Sequence, residues 1–277
     1  MDGRRGQRDK ARLRHCCPVV IVVAALLTVT WPRGTASGAS NPDARVFTSV
    51  ATQARVVALT FDDGPSPYTP QILSLLRAYG DRATFFLVGF RVQAYPKWAR
   101  AEAGDGDAIG NHTYRHVDLE WLTPGDVTWQ LRATEQIIHD VTGIEPQWFR
   151  PPYGAVDPRV AGLAAGLGLR TVTWSVDPRD WSRPGAAAIV SRVLSAVRPG
   201  SVILLHDGGG DRSQTVTAVS ILLPALRARG FRFVTLDKLF FPGVSRAAKP
   251  VPAGTYRPEP RPTALCASSR GRYSLCT

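Results

Sequence analysis

Between residues 55 and 241, short and nearly unbroken apolar runs alternate with stretches whose apolar positions recur every three or four residues. Residues 56–61 (VVALTF), 83–89 (ATFFLVG), 170–176 (RTVTWSV), 201–206 (SVILLH) and 231–236 (FRFVTL) have the length and the β-branched or aromatic content of buried strands. Residues 148–154 (WFRPPYG) read as a further strand that ends in a turn stiffened by two prolines. Helical spacing occupies residues 70–78, with Ile72, Leu75 and Leu76 on one side, and residues 125–141, with Val127, Leu131, Ile137 and Ile138. Residues 157–166, 186–197 and 215–229 read as helices as well. Strand alternating with helix predicts a parallel sheet with helical crossovers.

The flanks lack this rhythm. Residues 40–53 are small and polar and read as a linker, which leaves 54–241 as the folded domain. Residues 242–277 are rich in Pro, Arg, Ser and Ala without periodicity and predict a mostly disordered tail.

Polar clusters sit where the predicted strands end. Asp62 and Asp63 close the first, Arg150 and Tyr153 the WFRPPYG strand, Asp177 and Asp180 the next, and His206 and Asp207 the one after. In a parallel barrel these ends share one face, where such enzymes place their chemistry.

Charge changes this picture little. The chain carries +12, but residues 1–39 and 242–277 contribute +5 each and leave +2 for the middle. With no basic, aromatic-interleaved helix in that middle, nucleic acid is excluded as a partner. At the N-terminus Arg4, Arg5, Arg8, Lys10, Arg12 and Arg14 precede an apolar run at residues 19–29 and small residues at 34–40. That is the order of a secretory signal, and an uncleaved membrane anchor is the alternative for residues 1–39. Of four cysteines, Cys16 and Cys17 belong to that segment, while Cys266 and Cys276 lie in the tail, where a small disulfide loop is expected in an exported protein. Residues 40–241 hold no cysteine, which excludes a thiolate nucleophile or a Cys-ligated zinc site there.

The candidate chemistry rests on few residues. In GNHTYRH, His112 and His116 are four apart, and on a helical turn both imidazoles would face one metal ion. The chain has only five histidines, and His112, His116 and His206 all fall in the polar clusters, whereas His139 reads as a surface residue of the long helix. A third ligand would come from Asp62 or Asp63. A cation would also relieve the repulsion between these adjacent carboxylates, although Asp-Asp-Gly-Pro alone also reads as an acidic turn before a helix. Arg150 is the natural partner of whichever aspartate stays unligated. A carboxylate beside His206, Asp180 or Asp207, would keep that imidazole protonated as a general acid needs. Trp181 offers either an apolar wall for a sugar or an ordinary core residue. Glycines 208–210 lack a following GK[ST], which rejects a nucleotide loop.

TFDDGP, HTYRH, RPPYG, DPRDW and LLH stand in this order along the chain. The series resembles the polysaccharide deacetylases of carbohydrate esterase family 4, the NodB homology domain, across residues 54–241. The resemblance implies a distorted (β/α) barrel with fewer than eight strands. It implies a divalent metal, Zn2+ first and Co2+ or another ion second, bound by Asp63, His112 and His116. Asp62 would be the general base, oriented by Arg150, and His206 the general acid, tuned by Asp180. Trp181 and Leu204 would line the acetyl pocket, and the Tyr153 backbone N–H would help hold the oxyanion. The stretch 102–107 is Gly/Asp-rich, so its contacts with substrate do not carry over, and the tail has no counterpart in the family's core.

The function so implied is an exported, monomeric, metal-dependent enzyme that removes N-acetyl groups from N-acetylglucosamine polymers such as peptidoglycan or chitin. The alternatives are an acetylxylan-type O-deacetylase and a carbohydrate-binding protein without activity. The basic tail or the N-terminal segment would associate with the cell wall or a membrane surface.

Overall fold

The computed structural model describes residues 44–243 and the backbone of residues 265–267 and 273–275. The expected signal or anchor at 1–39 and the expected Cys266–Cys276 bridge lie outside the described residues.

Strand β2 (Val56–Gly64) is buried along almost its whole length, as its apolar composition requires of a strand covered on both faces. It pairs in parallel with β3 (Thr84–Leu87) on one side and β7 (Val202–His206) on the other. From β3 the sheet continues through β4 (Ala108–Asn111), β5 (Trp148–Phe149) and β6 (Arg170–Val172), every pair parallel. The segment after β6 returns to β7: Val176 bridges Ile203, Ser175 N–H donates to Val202 O at 3.0 Å, and Leu204 N–H donates to Val176 O at 2.9 Å. Strands β2 to β7 thereby close a ring. Two short strands are added to it, β1 (Val46–Phe47) on β6 and β8 (Arg232–Phe233) on β2, which gives this sheet eight strands. The architecture is a distorted α/β barrel whose ring has fewer than eight strands, as the resemblance implied.

Alternation along β2 sorts its side chains. Val57, Leu59 and Phe61 point outward and pack on α1 (Thr69–Tyr79), through Ile72, Leu73 and Leu76, and on α7 (Ser213–Ala228), through Val219 and Leu222. Ala58, Thr60 and Asp62 point into the ring. Ala58 meets Phe86, Trp148, Val172 and Val202, and helix α8 (Leu236–Phe240) contributes Leu236 and Leu239 to the same cluster. Helices α4 (Pro124–Thr142), α5 (Pro158–Gly166) and α6 (Ala186–Ala196) cover the remaining outer face. Among the described residues no helix is long and apolar enough to cross a membrane.

The described structure departs from or adds to the sequence pattern in four places. The linker at 40–53 ends early, because Val46–Phe47 forms β1 and the Phe47 ring packs 5.5 Å from Trp148 and 5.0 Å from Phe240; two residues are too few to show a period. Residues 90–111 carry α2 (Gly89–Ala94), α3 (Pro96–Gly104) and β4, none of which the pattern announces. In β4 the inward position is Gly110, since any side chain there would run into the Phe86 ring. The final strand lasts two residues before the chain turns into α8, where Asp237 accepts from Trp148 Nε1 at 3.0 Å. In the tail, β9 (Leu265–Ala267) and β10 (Tyr273–Leu275) pair antiparallel with Ser274 opposite Cys266, so that part of 242–277 is ordered as a small sheet. Its strands hold leucines and a tyrosine, residues that favour extended pairing.

Candidate active site

The parallel register carries the inward positions of β2 straight onto those of β7: Thr60 lies beside Leu204 and Asp62 beside His206. Neighbouring residues of a strand normally face opposite ways. Here Asp62 and Asp63 share a face, because the β2–β3 register shifts between Asp62 and Gly64 and Asp63 takes a left-handed backbone at φ 71°. Both carboxylates consequently approach one imidazole, with His112 Nε2 3.7 Å from Asp62 Oδ2 and 3.4 Å from Asp63 Oδ1.

His112 and His116 do converge, but not on a helix. Thr113 and His116 have positive φ, 66° and 53°, and the loop is built by buried polar side chains. Asn111 Oδ1 accepts from Thr113 N–H at 2.9 Å, Thr113 Oγ1 accepts from His116 N–H at 3.0 Å, and Gln130 Oε1 accepts from both Tyr114 N–H and Arg115 N–H at 3.0 Å. The two imidazole centroids stand 4.9 Å apart. His112 Nδ1 donates to the Arg150 carbonyl at 2.7 Å, which leaves its Nε2 as the acceptor.

One ligand atom from each of Asp63, His112 and His116 falls within 4.8 Å of the others. Asp63 Oδ1 is buried without a hydrogen-bond partner among the described residues, although it lies 3.0 Å from His116 Nε2. Burial opposes the charge of Asp63, and the two imidazoles outweigh it and hold the carboxyl well below the usual range. An orphaned anionic oxygen between two imidazoles is a donor set that fits a divalent cation.

Asp62 is held from the other side. Arg150 is wholly buried and lies 4.2 Å over the Phe86 ring. Its Nη1 donates to Asp62 Oδ1 at 2.8 Å and to Thr60 Oγ1 at 2.7 Å, and its Nη2 to Thr173 O at 2.9 Å. Burial pulls the guanidinium pKa down while Asp62 pulls it back up. One residue thus orients two groups, Asp62 through its side chain and His112 through its carbonyl.

His206 Nδ1 lies 2.7 Å from Asp180 Oδ1, and Asp180 Oδ2 accepts from His206 N–H at 2.9 Å and from Thr215 Oγ1 at 2.8 Å. Burial disfavours the imidazolium, but the Asp180 hydrogen bond and charge, followed by Asp62 and Asp63, push its pKa up to about 9. With Nδ1 engaged, Nε2 carries the proton on offer. The other candidate partner, Asp207, does not serve His206: its carboxylate takes the Thr69 hydroxyl instead. Leu204 is buried on the ring interior one pair below His206. Trp181 is half exposed beside Asp180, so it is not a core residue. Tyr153 has φ 62°, with its ring 4.8 Å from that of His116 and its hydroxyl donating to His116 O at 3.4 Å.

The Thr60 and Thr215 hydroxyls and the Thr173 carbonyl hold these groups in place and escape sequence reasoning, since such groups are common and nothing local marks them. Asn111 had a signal in its position one residue before His112.

The profile of the family described as polysaccharide deacetylase matches residues 49–172. A peptidoglycan-N-acetylglucosamine deacetylase of Bacillus cereus is 42% identical over 206 residues, covering 72% of this chain and 94% of that protein. A chitooligosaccharide deacetylase of Bradyrhizobium sp. is 43% identical over 198 residues, covering 67% and 90%. The crystal structure of the Bc1960 peptidoglycan N-acetylglucosamine deacetylase superposes with a TM-score of 0.68 at 37% identity, covering 70% of this chain and 92% of that one.

Proposed function

Because the chain belongs to the polysaccharide deacetylase family, carbohydrate esterase family 4, we propose that it hydrolyses N-acetyl groups of N-acetylglucosamine polymers, peptidoglycan or chitooligosaccharides, and releases acetate. The observation that carries this reading is the grouping of Asp63, His112 and His116 within 4.8 Å, beside an Arg150-bound Asp62 whose register partner is His206.

Bound by Asp63, His112 and His116, a divalent cation such as Zn2+ supplies Lewis acidity toward a carbonyl oxygen and makes a nearby water more acidic. Asp62, oriented by Arg150, takes a proton from the attacking water. The water oxygen bonds to the acetamide carbon, and the Tyr153 N–H donates to the oxygen that becomes negative; a donor of this kind is typically worth ~10²–10³ in rate. His206 Nε2 passes its proton to the nitrogen as the carbon–nitrogen bond breaks, leaving acetate and a glucosamine unit. Asp180 keeps His206 charged until that step. Leu204 and Trp181 enclose the acetyl methyl.

Export is part of the same proposal, supported by the arginine-rich start, the apolar run at 19–29 and the small residues at 34–40. Acetate release from peptidoglycan and chitooligosaccharides, measured with and without a chelator, tests the reading. Release only from acetylxylan would replace it with the O-deacetylase, and glycan binding without acetate under any metal would replace it with the binder.

A further inference from the structure

The reaction above leaves Asp207 without a task, yet this residue is fully buried behind the site. Its N–H and that of Gly208 donate to Asp62 O at 3.1 and 3.3 Å. Its carboxylate receives the Thr69 hydroxyl and its carbonyl the Ser66 hydroxyl, while Ser66 N–H donates to Thr69 Oγ1 at 2.8 Å. On its other side the carboxylate presses on Gly64, where an added Cβ would collide with both carboxylate oxygens. The following turn completes the enclosure. A Cβ on Gly208 would strike Asp63 O, and one on Gly209 would strike Asp63 Oδ2. Arg212 holds that turn by donating Nε to Gly208 O at 2.6 Å and Nη2 to Gly209 O at 3.0 Å.

Asp63 needs such an enclosure. A non-glycine residue at φ 71° is unfavourable and persists only where its surroundings over-determine it. We propose that Asp207 is a positioning residue for the cation site: through Thr69, Ser66 and Gly64 it holds Asp63 in the left-handed conformation that sets Oδ1 between His112 and His116. The inference rests on the reading of those three residues as metal ligands.

The test is a Co2+ or Zn2+ titration of the metal-stripped full chain, by calorimetry and, for Co2+, by visible absorption. D207A is expected to weaken metal binding ~10–100-fold, the range found when groups that orient ligands are removed. T69V should weaken it less and in the same direction. D207N keeps an oxygen toward Thr69 and should recover most of the affinity. Acetate release by D207A should rise toward the wild-type rate as metal is added. If D207A and T69V bind metal as tightly as wild type and only melt earlier, Asp207 is merely structural and the proposal falls. If D207A does not fold, T69V decides alone. An H116A control separates the two readings. Wild-type binding that is lost in H116A but unchanged in T69V sinks only the Asp207 proposal. Wild-type binding that is absent, or unaffected by H116A, sinks the metal reading and this one with it.

Discussion

Two groups of buried carboxylates contrast among the described residues. At the barrel rim, Asp62 meets the Arg150 guanidinium, Asp63 meets two imidazoles, and Asp180 meets His206 and the Thr215 hydroxyl. Near the junction of α3 and β4, Glu102 is equally buried, but neither of its oxygens has a hydrogen-bond partner among the described residues, and Asp107 uses only one of its two, on Ala83 N–H. Burial, reinforced by the charges of Asp207 and Asp107, raises the Glu102 pKa well above the usual carboxylate value, and burial takes Asp107 to about 6. The contrast teaches that burial alone favours the neutral acid and that partners decide otherwise. At the rim the two imidazoles outweigh burial and hold the Asp63 carboxyl low, while Asp62 and Asp180 each have a cationic or hydroxyl partner. The Glu102 pocket makes no such provision and favours the neutral acid.

The strongest way to break this contrast is to remove the charge that the rim protects. D62N should lower acetate release by roughly 10³-fold, within the ~10²–10⁴ range of general base catalysis, while metal titration stays near wild type. Unchanged activity would leave Asp62 without the role of base.

R150M withdraws the partner instead of the acid. It strands Asp62 in an apolar ring and should destabilise the fold by about 3–5 kcal/mol in urea unfolding, as breaking a buried pair does. A loss as small as that of an exposed pair would show that water reaches Asp62.

The proton on His206 sharpens the comparison through pH. Activity should fall as pH rises through about 9, where the imidazole loses its charge. In D180N that alkaline limb should move toward the ordinary histidine value near ~6.5. The same raised pKa contributes stability that is complete below the unfolded value and is lost as pH climbs through about 9.

The smallest effect belongs to Glu102. Its folded pKa lies above its unfolded value, so the folded state binds more protons, and stability declines as pH rises above ~4.3 toward the folded pKa. E102Q should match wild type at pH 4, exceed it at pH 8, and leave acetate release unchanged. A variant less stable than wild type at both values would mean that the carboxyl has a partner after all.

Much of this was legible before the fold. Strand–helix alternation followed from runs such as VVALTF and SVILLH, whose apolar length suits a strand covered on both faces. The pairing of Arg150 with an aspartate could be expected because a guanidinium and adjacent carboxylates in one domain seek each other. Other features were hidden for physical reasons. The spacing of His112 and His116 suggested a helical turn, whereas the turn is left-handed and depends on Asn111, Thr113 and Gln130, the last of them in α4. A strand of two residues such as β1 is too short to display a period.

The sequence by itself determined which chemistry was available: two neighbouring aspartates, three histidines in polar clusters, one arginine before a rigid turn, and strands long enough to bring their ends to one face. Only the tertiary structure decided which aspartate faces the imidazoles and which the guanidinium, and that Asp180 rather than Asp207 serves His206. Those choices turn on a register shift of one residue and on packing between segments 26 to 88 positions apart, and no local pattern of side chains encodes either.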